Sequence, residues 1–295
     1  MKLQPGVHKD IPPLDYHEWR FDFEQPENGP ISNSLLKKYA ALGPLQFRYA
    51  EQDPRTTGMT WGGLVDCLLF TPSEFDNQFL DKALNPHLSA DGGVRSKAAK
   101  EWRDDAADRG LTLIDGETLE KAQKAVERLK QTPSAAALID GADFQVALSQ
   151  LPDHGVPVKG LLDLVPNNPD ELDCLADLKT TAANIYSDDE LGRAVGKYGY
   201  HIQGALYLHL WNSLGGFHGG EWRHHWKIIW QSSKPPYETR VTQLDQLWMD
   251  AGREFIRYHM PRLVRDIRTG TWHSPFRHKS TTLHLHSPSI FAEEN

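Results

Sequence analysis

Asp177 and Lys179 stand two places apart in the run Cys174-Leu175-Ala176-Asp177-Leu178-Lys179, whose other members are apolar or small. In an extended strand alternate residues share a face, so carboxylate and amine project together while Leu178 turns the other way. Charges are seldom buried without partners. A third charged group lies close by in the chain: Asp163, the one acid in Val158–Pro166 (VKGLLDLVP). If the two segments pair as strands, Asp163 comes near Asp177. Two carboxylates at close range repel, and one takes up a proton unless a cation compensates. A hard divalent ion such as Mg²⁺ or Mn²⁺ suits an oxygen set of this kind. The neighbouring lysine then orients or deprotonates a water and stabilises developing negative charge. Metal and lysine beside a phosphodiester make a hydrolytic site. An acid-x-lysine pair alone also occurs on strands that merely face solvent, so its weight comes from Asp163.

The flanking pattern supplies the elements. Asp143–Leu151 (DFQVALSQL) predicts a strand, and His154–Pro166 predicts its hairpin partner across a Pro-Asp-His-Gly turn. Cys174–Thr181 is a third strand after the Asn-Asn-Pro-Asp-Glu-Leu turn, and His224–Ser233 a fourth, closed by Pro235-Pro236. Helices are predicted at Ser32–Gly43, ended by Gly43-Pro44, and at Thr60–Phe75, where Asp66 is the one charge inside an apolar run. Two polar-faced helices follow in GGVRSKAAKEWRDDAADRG and DGETLEKAQKAVERLKQTP. Ser187 and Glu190 fit a capping box opening one long helix to Gly215, and a last helix spans about Thr242 to Arg268. Helices, a hairpin-led sheet and further helices predict one α/β domain over residues 1–295. An extended N-terminal arm (about 1–30) and a polar tail (about 275–295) flank it.

The 295 residues are 39% apolar and 24% charged, ordinary for a soluble globular chain. No apolar stretch approaches the roughly 20 residues that span a bilayer, and the N-terminus lacks a signal-peptide core. Cys67 and Cys174 sit far apart in apolar surroundings and read as reduced, buried thiols of a cytosolic protein. The net charge of −8 disfavours broad coating of nucleic acid but permits a local basic groove. Of the fourteen histidines, the dense spots WRHHW and LHLH lack companion acids at metal spacing; His224 and His225 face opposite sides of a strand and read as surface or packing residues.

Taken in order, GLLDLVP followed by LADLKTTA resembles the acid…acid-x-Lys core of the PD-(D/E)xK nuclease superfamily. Within it, the chain is similar to RecE-type exonucleases (exodeoxyribonuclease VIII, PDDEXK-like domain). ISNSLLKKY, TWGGLVDCLLFTPSEF, RSKAAKEW, YGYHIQGALYLHLW and IIWQSSKPPYETRV resemble further motifs of that family, so the likeness covers most of the chain. It implies a restriction-endonuclease-like core with a mixed central β-sheet flanked by helices.

The resemblance further implies that Asp163 and Asp177 bind Mg²⁺, with Mn²⁺ as a substitute and the Leu178 main-chain carbonyl as a further donor, and that Lys179 positions or activates the water. Gln203 and Tyr207, four apart on one helix face, turn toward active site and DNA, with His201 beside them. Three departures stand out. Asp66 occupies the position of a metal-binding histidine and can replace it as an oxygen ligand. Leu161 stands where a basic residue is common, and Gln145 where relatives often carry glutamate. Arg48, Arg55, Lys159 and Lys197 are expected to line a DNA channel. The implied activity is 5′→3′ degradation of one strand of linear duplex DNA, leaving a 3′ single strand for a RecT-like annealing protein. The implied assembly is a ring-shaped homo-oligomer. The alternatives are a nuclease-inactive protein that binds DNA ends or partners, an endonuclease, and an exonuclease for single strands.

Overall fold

In the computed structural model, residues 2–9, 11–25, 28–50, 61–215 and 222–274 are described. Where proline-rich composition predicted an extended arm, the chain forms strand β1 (Gly6–His8) and a short helix α1 (Pro13–Glu18). Helix α2 (Asn33–Tyr49) starts under Ser32, whose hydroxyl accepts from the Leu35 amide at 3.2 Å. It runs past the expected stop. Gly43 takes φ 73° and kinks the helix, and Pro44 reopens it where its missing N–H is not needed. Next come α3 (Trp61–Phe70), which carries Asp66, and the single turn α4 (Phe75–Gln78). Strand β2 (Phe79–Asp81) pairs in parallel with β3 (Thr112–Ile114), with α5 (Lys97–Asp108) between them in sequence.

Helices α6 (Gly116–Gln131) and α7 (Pro133–Ile139) lead into the central strands β4 (Asp143–Gln150), β5 (Val158–Val165) and β6 (Cys174–Thr181), close to the predicted bounds. Helices α8 (Asp188–Tyr198) and α9 (Tyr200–Leu214), strands β7 (His225–Ser232) and β8 (Thr239–Gln243), and helix α10 (Gln246–Thr269) complete the chain. The main sheet has the order β1-β4-β5-β6-β7-β8, parallel at β6–β7 and antiparallel at every other junction. This is the predicted mixed sheet between helical layers. The small elements β1 to β3 and β8 had no counterpart in the sequence reading. Among the described residues no helix is long and apolar enough to cross a membrane.

One core joins α2, α8, α9 and α10 to the sheet, and a second joins α3, α6 and α7 to it. Strand β6 divides its side chains between them. Cys174, Ala176 and Leu178 enter the second core, and Leu175 the first. Alternation therefore aims Asp177 and Lys179 toward α9. Gly204 lets α9 lie that close, because a Cβ there would come within 2.6 Å of the Trp226 ring. The single long helix predicted from Ser187 to Gly215 is two helices. Gly199 breaks it at φ 66°, and a Cβ there would meet Lys37 Cδ at 2.9 Å. The Ser187 hydroxyl accepts from the Glu190 amide at 3.3 Å, but the Glu190 carboxylate accepts from the Asn184 amide, so half of the capping box forms. Arg55, the glycine-rich stretch at 216–220 and the tail from 275 onward lie outside the described residues.

Candidate active site

Leu164 pairs with Ala176 across β5 and β6, so the next position in register sets Asp163 opposite Asp177. The strands part there. Asp163 Oδ2 accepts from the Leu178 amide at 3.0 Å and stands in for a ladder bond. On the other side of the split, Asp177 is 1% exposed; its Oδ1 accepts from Gln203 Nε2 at 2.8 Å. Its Oδ2 touches the Lys179 ammonium, yet no hydrogen bond of proper orientation reaches that buried oxygen. The Tyr200 ring lies 5.1 Å from the Lys179 amine on its other flank. Strand pair and helix α9 thus gather two carboxylates, an amine and an amide into one floor, of which Asp163 and Gln203 line a cleft of about 1170 Å³.

Charge is unbalanced in this floor. Burial, reinforced by Asp177 and Asp66 and opposed by Lys179, holds the Asp163 carboxyl well above the usual carboxylate range. Burial likewise lifts Asp66 on α3 to about 7, with Lys179 opposing and Asp177 adding to the rise. Burial disfavours the Lys179 ammonium, but Asp177 and Asp163 outweigh it and raise its pKa. Lys179 is thus the amine in direct contact with a group of three acids. A divalent cation would supply what is missing, and the ill-satisfied Asp177 Oδ2 offers it a donor. In charge and donor type the residues fit such an ion. They do not stand as a ready-made cluster: among the described residues no three His, Cys, Asp or Glu side chains converge closely enough to hold a metal. The reason is visible in the hydrogen bonds. Gln203 donates to Asp177 Oδ1 and the Leu178 amide to Asp163 Oδ2, while Lys179 meets Asp177 Oδ2 as an ion pair only.

The other expected site residues divide. Asp66 lines the cleft with Asp163 and Gln203. Tyr207 also lines it but is 8% exposed; its hydroxyl is bonded to Leu161 backbone and its ring packs 5.9 Å from Trp226. It buttresses β5 from within, and little of it reaches solvent. His201 does not join the group. Two residues from Gln203 on a helix, it lies on the far side, with Nδ1 3.3 Å from the Val195 carbonyl and its ring 5.1 Å from Trp248. Lys159 is likewise not a channel cation. It is buried, donates to the Tyr16 and Trp19 carbonyls at 2.6 and 2.5 Å, and lies 3.9 Å from the Tyr16 ring. Arg48 stacks 4.7 Å from the Phe23 ring, and Lys197 stands at the end of α8 by Tyr198.

Gln145 had no assigned role. It lies across from Asp163, between the pairs Phe144–Leu164 and Val146–Leu162, lines the cleft, and has φ 50°. A left-handed non-glycine residue inside a strand stores strain, and such residues gather at functional sites. Nothing in its sequence neighbourhood signals that backbone. Lys37 was also missed: it reaches from α2 to donate to the Tyr198 carbonyl at 2.7 Å.

A family described as a PDDEXK-like domain of unknown function (DUF3799) matches residues 38–274. No curated protein matches the chain. Among solved structures, a candidate exonuclease from Eubacterium rectale aligns over 96% of this chain and 98% of that one, with a TM-score of 0.54 and 15% identity. That likeness is one of fold, restriction-endonuclease-like with a mixed sheet between helices. The crystal structure of SSO0001 aligns over 81% of this chain and 85% of that one at 14% identity; with a TM-score of 0.29 it carries no weight.

Proposed function

The chain belongs to the family of PDDEXK-like domains, and from that premise we propose that it is a metal-dependent deoxyribonuclease degrading linear duplex DNA in the 5′→3′ direction, as RecE-type exonucleases do. The observation carrying this reading is the linkage of Asp163, the Leu178 amide, Asp177, Gln203 and Lys179 across β5, β6 and α9. In it, Asp66, Asp163, Asp177 and the Leu178 carbonyl hold Mg²⁺, for which Mn²⁺ can substitute. The ion, when bound, supplies Lewis-acid stabilisation of charge building on the phosphate. Gln203 fixes the carboxylate plane of Asp177. Lys179, kept protonated by Asp177 and Asp163, acts as a donor that orients the attacking water and neutralises charge on the phosphate. The name of the Eubacterium rectale protein is in keeping with an exonuclease. A 3′ single strand handed to a RecT-like annealing protein, a ring-shaped homo-oligomer and a cytosolic setting complete the proposal.

One observation favours a second reading, a protein that binds DNA ends without cutting them: among the described residues the acids are not gathered into a metal cluster. End-labelled linear duplex and covalently closed circles, each incubated with Mg²⁺ or EDTA, separate the two. Progressive loss of linear DNA alone, abolished by EDTA and by Lys179→Ala, supports the exonuclease. Tight binding without product supports the end-binding protein, and nicked circles an endonuclease.

A further inference from the structure

From the Lys179 amine a row of aromatic rings leads outward. Trp230, 1% exposed, anchors it, with its ring 5.8 Å from that of Tyr200. Tyr200 is partly covered and also flanks the Lys179 amine at 5.1 Å. Tyr198 is stacked on Tyr200, 5.6 Å between centroids and 29° between planes, and is 50% exposed. Two further amines approach Tyr198, one at its ring and one at its main-chain carbonyl. Lys197 stands 5.1 Å from the ring, and Lys37 donates to the Tyr198 carbonyl at 2.7 Å. The arrangement depends on Gly199. Its left-handed backbone turns Tyr198 and Tyr200 into register although they end one helix and begin another, and its missing side chain leaves room for the Lys37 stem.

A half-exposed tyrosine backed by a second ring presents a flat face on which a planar group can stack. Here it lies one ring away from the amine of the hydrolytic site, with the Lys197 amine beside it and Lys37 held at its main-chain carbonyl. A nucleobase is flat, carries a phosphate on each side, and stacks on tyrosine whatever its identity. Bases inside a duplex already have stacking partners, so the base that fits is single-stranded or frayed from an end.

We propose that Tyr198, backed by Tyr200, with Lys197 beside its ring and Lys37 at its main-chain carbonyl, is a stacking platform for an unpaired nucleotide adjoining the phosphodiester at Lys179. This rests on the nuclease reading and adds to it a subsite that selects for frayed ends. Neither ring contributes to holding the ion. Lys197 and Lys37 meet the phosphates of the stacked strand, and the base lies on Tyr198.

The test uses a short single-stranded oligonucleotide with one terminal 2-aminopurine, whose fluorescence falls when it stacks, titrated with the full chain in EDTA. Wild type should quench it. Tyr198→Phe should quench it equally, while Tyr198→Ala should lose the quenching and bind about 5- to 100-fold more weakly. Lys197→Gln should bind more weakly and with a shallower salt dependence, by about one phosphate contact; this reads the same subsite should the alanine variant fail to fold. Quenching and affinity unchanged in Tyr198→Ala, with DNA still degraded in Mg²⁺, would overturn the platform and leave the nuclease standing. A wild-type chain that neither binds nor degrades DNA would sink both.

Discussion

Replacing Asp66 with asparagine keeps the side-chain shape and removes a charge that the fold tolerates poorly. Burial, opposed by Lys179 and reinforced by Asp177, moves its carboxyl from an ordinary 3.8 to about 7. A carboxyl whose pKa is higher in the folded than the unfolded state weakens folding as pH rises. The penalty is absent below about pH 4, grows through the interval and is complete above about pH 7. At about 1.4 kcal/mol per pH unit, that interval sets a ceiling of about 4 kcal/mol, and relaxation of the surroundings lowers the realised value. Asp66→Asn is therefore expected to raise the unfolding free energy of the metal-free chain by about 1–4 kcal/mol at pH 8 and to leave it unchanged near pH 4. Urea unfolding in EDTA at the two pH values measures this. Repeating it at pH 8 with Mn²⁺ tests the ligand role: wild type gains stability by binding the ion, and the variant gains less. A variant less stable than wild type at pH 8 would refute the burial argument. An undiminished gain from Mn²⁺ would remove Asp66 from the ligand set.

Lys179→Ala should lower cleavage of linear duplex by about 10²–10⁴-fold, read as initial rates in Mg²⁺, and Lys179→Arg should not restore it, because a planar guanidinium cannot occupy the place of an ammonium between Asp177 and Tyr200. Gln203→Ala frees Asp177 Oδ1 from its donor at 2.8 Å and should weaken Mn²⁺ binding measured by calorimetry, while Gln203→Glu, adding a fourth acid, should shift folding stability downward as pH rises from 5 to 8. Gln145→Gly should be no less stable than wild type, and Gln145→Val should lose at least about 1 kcal/mol in urea unfolding, because φ 50° suits glycine and penalises a β-branched residue. Gly204→Ala should cost about 1–3 kcal/mol by driving a methyl against the Trp226 ring, with cleavage falling alongside as Gln203 is pushed off Asp177.

The central strands and the acid-x-lysine pair were legible because their signals are local. Asp177-Leu178-Lys179 alternates at the end of an apolar run bounded by a turn, and turns rich in proline, aspartate and glycine bound β4 and β5. Gln203 came from the resemblance of its helix to a family motif, with helical phase adding only that it shares a face with Tyr207; the same phase puts His201 on the opposite side. What escaped depends on contacts distant in sequence. Strands β1, β2 and β3 are three residues each, too short to show alternation, and exist because β4 or each other offers hydrogen bonds. Strand β8 follows a hairpin at Lys234–Tyr237 and merges without punctuation into the helix after it. Gly199 sits in an unbroken helical pattern, and its left-handed turn is selected by Lys37 passing over it from 162 residues earlier in the chain. Lys159 reads as a free cation until α1 is folded onto it.

That buried lysine ties the start of the chain to the strand that bears Asp163, four residues away, through two peptide oxygens. Tyr16, Trp19 and Arg20 are also walls of the cleft. Tension applied at the amino end, whether by a fusion partner or by a neighbouring subunit gripping β1, would travel along this tether to the cleft floor. The shape of that cleft is thus coupled to the first turns of the chain through a buried amine.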